Sequence, residues 1–263
     1  MLTLVKLGGS LITDKHVEAS FRQDVVERLA QEVRSTIDAD PELQIIIGHG
    51  SGSFGHFAAK RYGTMTGVRS SEDWRGFAHV ATVAAALNYQ VARIFDEASI
   101  PVWPMQPSAS SLSQDGVIVE MALEPVRHAL EHRLVPLVYG DVSLDEVRGG
   151  TIISTEAIFA YLTKKMNIHR ILLLGEVEGV FDSESRLISV ITPSTFSSIT
   201  SALGGSNAVD VTGGMLAKVQ GMLDLIVENP ELTIRIMGGT VPGMLTNTLL
   251  QQTQPGTLIL ADP

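Results

Sequence analysis

Three glycine-rich turns in this chain have basic residues beside them, a combination of backbone donors and cations suited to phosphate. The first is Gly8-Gly9-Ser10, preceded by Lys6 and followed by Lys15. The second is Gly48-His49-Gly50-Ser51-Gly52-Ser53-Phe54-Gly55-His56, opening onto a helix-like run from Phe57 to Tyr62, and the third is Asp210-Val211-Thr212-Gly213-Gly214-Met215, with Lys218 just beyond. Such turns aim successive N–H groups into one concavity, glycine admits a ligand close to the backbone, and a helix start adds partial positive charge. Phosphoryl transfer between two anions needs charge neutralisation and positioning, and Lys6, Lys15, His56 and Lys218 converging at one crevice would supply both. Asp141, at the end of an apolar run, is placed to hold two lysines apart and in register.

The elements that must carry these residues alternate between strand and helix patterns. Leu2 to Leu7 and Leu43 to Ile47 are buried-strand runs, and Arg22 to Asp38 between them is helical, which is the opening unit of a parallel sheet. A long helix is predicted over Glu72 to Ala98, where Phe77, Val80, Ala81, Ala84, Leu87, Val91 and Ile94 recur at spacings of three and four. Ile100 to Met105 reads as a strand and Gln106 to Ser110 as a loop. A helix follows over Leu123 to His132, then a strand over Leu134 to Tyr139 that ends at Gly140-Asp141. Arg148-Gly149-Gly150 reads as a turn, Thr155 to Met166 as a helix, and Arg170 to Leu174 as a strand. Short strands at Val180-Phe181 and Leu187 to Ile191 come next, then helices over Pro193 to Ala202 and Leu216 to Val227. Leu232 to Met237, a helical stretch near Leu245 to Leu250, and Thr257 to Leu260 complete the pattern. The expected architecture is a three-layer α/β/α sandwich around a mainly parallel sheet, with ligands at the carboxyl ends of the strands.

Composition narrows the partners. A formal charge of −10 argues against a nucleic-acid or anionic-membrane surface, since both require a basic face. No apolar run approaches the roughly 20 residues of a spanning helix, and no signal-peptide pattern opens the chain. With no cysteine there is no thiolate nucleophile and no disulfide framework, which suits a cytoplasmic location.

Two motif matches are decoys. Gly50-x-Gly52-x-x-Gly55 fits a dinucleotide fingerprint, but the second strand with an acidic end that a Rossmann unit requires is replaced by a long helix starting at Glu72 and Asp73. His128-Ala129-Leu130-Glu131-His132 has the spacing of an inverted zinc-peptidase motif, yet Leu123, Val126 and Leu130 give the segment an ordinary surface-helix face, so no metal site is expected. A Walker A loop is absent, as are the protein-kinase motifs.

The ordered set Lys6-Leu-Gly-Gly-Ser10 with Lys15, Gly50 to His56, Gln106-Pro-Ser108, Gly140-Asp141 and Asp210 to Met215 with Lys218 resembles the amino acid kinase superfamily, and within it the isopentenyl phosphate kinase branch. The resemblance covers nearly the whole chain, 1–263 as a single domain, with an acceptor-binding lobe over about 1–165 and a nucleotide-binding lobe over about 166–263. It implies that Lys6 and Lys218 are the cations on the transferring phosphoryl group, with Lys15 a further donor. It implies that Gly8, Gly9, Ser10, Gly52, Glu176, Gly179 and Gly214 contact ATP. Ser51, His56 and Thr155 would contact the acceptor, and Asp141 would organise the lysines. At two places the chain departs from the family pattern: Ser154-Thr155-Glu156-Ala157 stands for Ser-Gly-Asp-Asp, and Gly175-Glu176-Val177-Glu178-Gly179 for an aspartate-containing segment.

The resemblance further implies ATP and Mg²⁺ as cofactors, a homodimer, and phosphorylation of isopentenyl phosphate, with dimethylallyl phosphate as a second acceptor. A monophosphate is ionised near neutral pH, so its oxygen is a nucleophile without a base, and His56 is better cast as a hydrogen-bond donor to the acceptor. The long helix after Glu72 is expected to wall the prenyl tail. Two alternatives stay open on the sequence: a kinase for another small acid or phosphonate of the fosfomycin type, and a catalytically silent nucleotide-binding or storage protein.

Overall fold

Strand β1 (Leu2–Leu7) lies in the interior of the main sheet, and its side chains alternate between two cores. Leu2 and Leu4 join one apolar cluster, and Val5 and Leu7 join the other. The computed structural model describes residues 1–203 and 213–262 of the chain.

Beside β1 run β2 (Gln44–His49) and, on the far side, a strand from much later in the chain. The remaining strands are β3 (Val102–Pro104), β4 (Leu112–Gln114), β5 (Val117–Glu120), β6 (Val135–Tyr139), β7 (Asp141–Asp145), β8 (Gly149–Ile153), β9 (Arg170–Gly175), β10 (Val190–Ile191), β11 (Thr233–Gly238) and β12 (Thr257–Ile259). The eight-stranded sheet has the order β10-β12-β11-β9-β1-β2-β6-β3, and only the β11·β12 pair is antiparallel. A smaller sheet of order β5-β4-β7-β8 adjoins it.

The helices are α1 (Gly9–Ile12), α2 (Gln23–Ala39), α3 (Gly52–Tyr62), α4 (Ser71–Glu97), α5 (Glu124–Glu131), α6 (Thr155–Lys165), α7 (Pro193–Leu203), α8 (Gly213–Glu228) and α9 (Met244–Leu249). Val26, Leu29 and Val33 of α2 and Leu87, Val91 and Phe95 of α4 cover the Val5 face. Ile158, Phe159 and Leu162 of α6 and Val219, Leu223 and Ile226 of α8 cover the Leu4 face. Helices on both faces of a mostly parallel sheet make the expected three layers. Helix α4 begins at a capping box, in which Ser70 and Asp73 each satisfy the other's backbone N–H.

Three expectations need correcting. The segment after Tyr139 is a β7–β8 hairpin, and Gly149-Gly150 opens a strand instead of forming only a turn. Val180-Phe181 is no strand, since Phe181 makes a single isolated bridge to Leu187 and the strand that follows is only Val190–Ile191. The helix after the second glycine turn starts at Gly52, five residues before the expected Phe57. Among the described residues no helix is long and apolar enough to cross a membrane.

Candidate active site

The chain leaves β1 toward β2 on one side, while β9 arrives on the other, so the carboxyl ends of these strands form a switch point where ligands settle in open α/β sheets. Loops at this edge are laced in sequence: Gly8 N donates to Leu174 O at 2.8 Å, Gly50 N to Leu7 O at 3.1 Å, and Gly140 N to His49 O at 3.1 Å.

The first two glycine turns meet here, backbone against backbone. A Cβ on Gly9 would stand 2.7 Å from Gly52 N, closer than a real side chain can come. Gly52 is also left-handed, with φ +48, and a Cβ there would collide with the Thr13 hydroxyl. Neither position tolerates a side chain.

Lys6 continues the Leu2–Leu4 row at the end of β1, so its side chain emerges on the α6–α8 face of the sheet. There its Nζ forms a tight ion pair with Glu156 Oε1, in the first turn of α6. Lys218, early in α8, places its Nζ 3.9 Å from the same oxygen. One carboxylate therefore gathers two ammonium groups from opposite ends of the chain. Burial lowers the Lys6 pKa, and Lys218 adds to that, against the opposing pull of Glu156. Burial pushes the Glu156 carboxyl up, but Lys6 first and then Lys218 outweigh it and hold it below the ordinary value.

Asp141, expected in that organising role, has another. Its buried carboxylate accepts Ser108 N at 3.1 Å and Val142 N at 2.8 Å, which fixes the loop after β3 to the start of β7. Burial raises its pKa. Among the described residues the carboxylate in ion-pair reach of both lysines is Glu156. The departure from the family pattern was the only signal in the sequence that could have pointed to it.

Thr155 is corrected too. It is 1% exposed, and its hydroxyl donates to His49 O at 2.6 Å, so it supports the second glycine turn from beneath instead of facing the crevice. His49 itself is buried, stacked on Tyr139 at 5.7 Å and linked to Asn88 at 3.1 Å; burial lowers its pKa.

Of the other expected residues, Ser51 immediately precedes α3 without a side-chain capping bond, and His56 stands exposed one turn into the helix, facing away from the core. Ser10 is half-buried in α1. Lys15 is exposed on a loop closed by the Thr13–Phe21 bridge, and Glu18 of that loop pairs with Arg61 of α3 at 3.1 Å. Glu176 follows β9 and pairs with Arg22 at 2.7 Å. Gly179 is buried against Leu187 and Thr257, where it serves close packing. Gly214 lies in the first turn of α8, and Asp210 to Thr212 fall outside the described residues. The segment His128 to His132 lies on α5, where His128 pairs with the exposed Glu131 at 2.9 Å. A crevice of about 370 Å³ lies at the amino ends of the strands, lined by Leu2, Gln44, Leu130, Glu131 and His169, away from the glycine turns and the lysine pair.

The family model for the amino acid kinase family matches residues 1–237. The chain belongs to the amino acid kinase family. It is 32% identical to the isopentenyl phosphate kinase of Methanocaldococcus jannaschii, over 87% of this chain and 88% of that enzyme. It is 33% identical to the isopentenyl phosphate kinase of Methanothermobacter thermautotrophicus, over 98% of each. A solved isopentenyl phosphate kinase structure superposes with a TM-score of 0.83 at 30% identity, covering 98% of this chain and all of that one.

Proposed function

We propose that this protein transfers the γ-phosphoryl group of ATP to isopentenyl phosphate, forming isopentenyl diphosphate and ADP. The observation that carries the reading is the gathering of Lys6 and Lys218 on Glu156 beside two fused glycine turns. The isopentenyl phosphate kinases that resemble the chain over almost its full length support the choice of acceptor.

In this reading an oxygen of the acceptor monophosphate attacks the γ-phosphorus, and the bond to the β–γ bridging oxygen breaks as ADP leaves. The attacking oxygen is already ionised, so the site needs no base. Lys6 and Lys218 meet the charge on the transferring group, and Glu156 keeps them side by side although both are cations. Backbone N–H groups of Gly9 and Gly52 cradle the donor phosphates, and Gly8, whose own N–H is held by Leu174 O, lets the turn pass close to β9. Ser51 and His56 hold the acceptor phosphate, His56 as donor. Mg²⁺, when bound, would neutralise phosphate charge, and it would be held chiefly by the phosphate oxygens themselves.

The prenyl tail lies against a small apolar cluster between α3, α4 and the β7–β8 hairpin. Ala58 of α3, Phe77, Val80 and Ala81 of α4, and Val142 and Ile152 of the β7–β8 hairpin come together there. The N-terminal half thus handles the acceptor and meets the phosphates of the donor, and the C-terminal half takes the rest of the nucleotide, in a cytoplasmic homodimer.

Product analysis tests the reading directly. Diphosphate should form from isopentenyl phosphate and dimethylallyl phosphate with ATP and Mg²⁺, and not from isopentenol, UMP or acetylglutamate. Turnover confined to fosfomycin would replace it with a phosphonate kinase.

A further inference from the structure

Thr13 closes the short helix α1, has no exposed surface, and stands two residues before Lys15. Its hydroxyl donates to Gly9 O at 2.7 Å and accepts the backbone N–H of Ser53 at 2.9 Å. Bonding back to the carbonyl four residues earlier is ordinary for threonine in a helix, and Thr36 does so to Glu32 O at 2.8 Å. The second bond is what sets Thr13 apart, because it arrives from a residue 40 positions away on the other glycine turn. One hydroxyl thus runs a continuous donor chain from the second turn, through Thr13, into the first. Ser53 extends it, since its own hydroxyl accepts Ser20 N at 3.3 Å and so ties the far end of the Lys15 loop to the same point.

We propose that Thr13 is a positioning residue for phosphoryl transfer: its hydroxyl sets the separation of the turn that follows Lys6 from the turn that leads to His56, and it anchors both ends of the Lys15 loop. The inference rests on reading these turns as the donor and acceptor phosphate cradles. Thr13 acts through backbone and touches neither phosphate. Each cradle keeps its own donors when the hydroxyl is removed, so substrate binding should survive. Turnover should not, because an ångström of misplacement between two bound reactants costs on the order of 100-fold.

The test compares Thr13→Val, Thr13→Ser and Thr36→Val, reading kcat, the KM of ATP and of isopentenyl phosphate, melting temperature, and amide exchange at Ser53 and Ser20. Thr13→Val should lower kcat by about 10- to 100-fold, leave both KM values near those of the wild type, and speed exchange at both amides. Thr13→Ser should restore kcat. Thr36→Val should lose stability and keep kcat. Wild-type kcat in Thr13→Val, or an equal kcat loss in Thr36→Val, overturns the proposal. Should Thr13→Val not fold, Thr13→Ala takes its place, and normal turnover there overturns it equally. A wild type that is inactive on isopentenyl phosphate defeats the acceptor assignment alone. The exchange measurement then decides the matter, and unchanged exchange at Ser53 in Thr13→Val removes the link.

Discussion

The Lys6 ammonium and the Glu156 carboxylate form an ion pair with side chains only 11% and 20% exposed, joining the sheet's interior to the first turn of α6. A buried pair of this kind costs desolvation on both sides, so it is weak evidence of stabilisation. Its placement beside Lys218 points to function instead. Lys6→Ala and Lys218→Ala should each lower kcat by about 10²- to 10³-fold with the fold intact, as loss of one transition-state donor does. Lys15→Ala, on an exposed loop, should be milder. Steady-state kinetics on circular-dichroism-checked variants measures this, and near-normal turnover without Lys6 would remove it from the catalytic set.

Glu156 should also govern the alkaline limb of the pH profile. Lys6 must be protonated to act, and burial already lowers its pKa, so activity falls as pH rises through that lowered value. Glu156 opposes the shift. Removing its charge in Glu156→Gln should therefore move the limb to lower pH and reduce kcat, whereas Glu156→Asp should keep the limb nearer its original place. An unmoved alkaline limb in Glu156→Gln would argue that the lysine does not titrate in the rate.

His56→Ala should sharply reduce turnover, while His56→Gln, which retains an N–H donor, should keep more of it. Acceptor chain length should count through the apolar cluster at about 0.8 kcal/mol per buried methylene until the space is filled. Kinetics with a series of alkyl monophosphates checks both expectations. Equal rates in the Ala and Gln variants would deny His56 its donor role.

Thr155→Val tests whether that residue supports the turn or meets the acceptor. It removes the 2.6 Å bond to His49 O, although Gly140 N still donates to that carbonyl. The expected loss is about 1 kcal/mol of stability, visible in chemical denaturation. The KM for the acceptor should stay unchanged. A several-fold rise in that KM with stability unaltered would restore Thr155 to the acceptor site.

The apolar alternation of Leu2 to Leu7, the stripe from Phe77 to Ile94 and the glycine turns were legible from residue order alone, because each depends on geometry inside one element. That is why the layered α/β class could be read from the sequence, and why Lys6, His56 and Lys218 stood out there as candidates. Strand β8 escaped notice because it begins with Gly149 and Gly150, residues that propensity assigns to turns. The choice between Asp141 and Glu156 could not be made from residue order, although the departure at Ser154 to Ala157 marked the segment. Both follow apolar strands, but Asp141 turns its carboxylate to Ser108, while Glu156 lies over the row of side chains that ends in Lys6. Likewise nothing in the spacing of Thr13 and Ser53 announces a hydrogen bond across 40 residues. Such contacts follow from strand order and from the side on which each crossover helix returns, which are settled by how the whole chain buries its two cores.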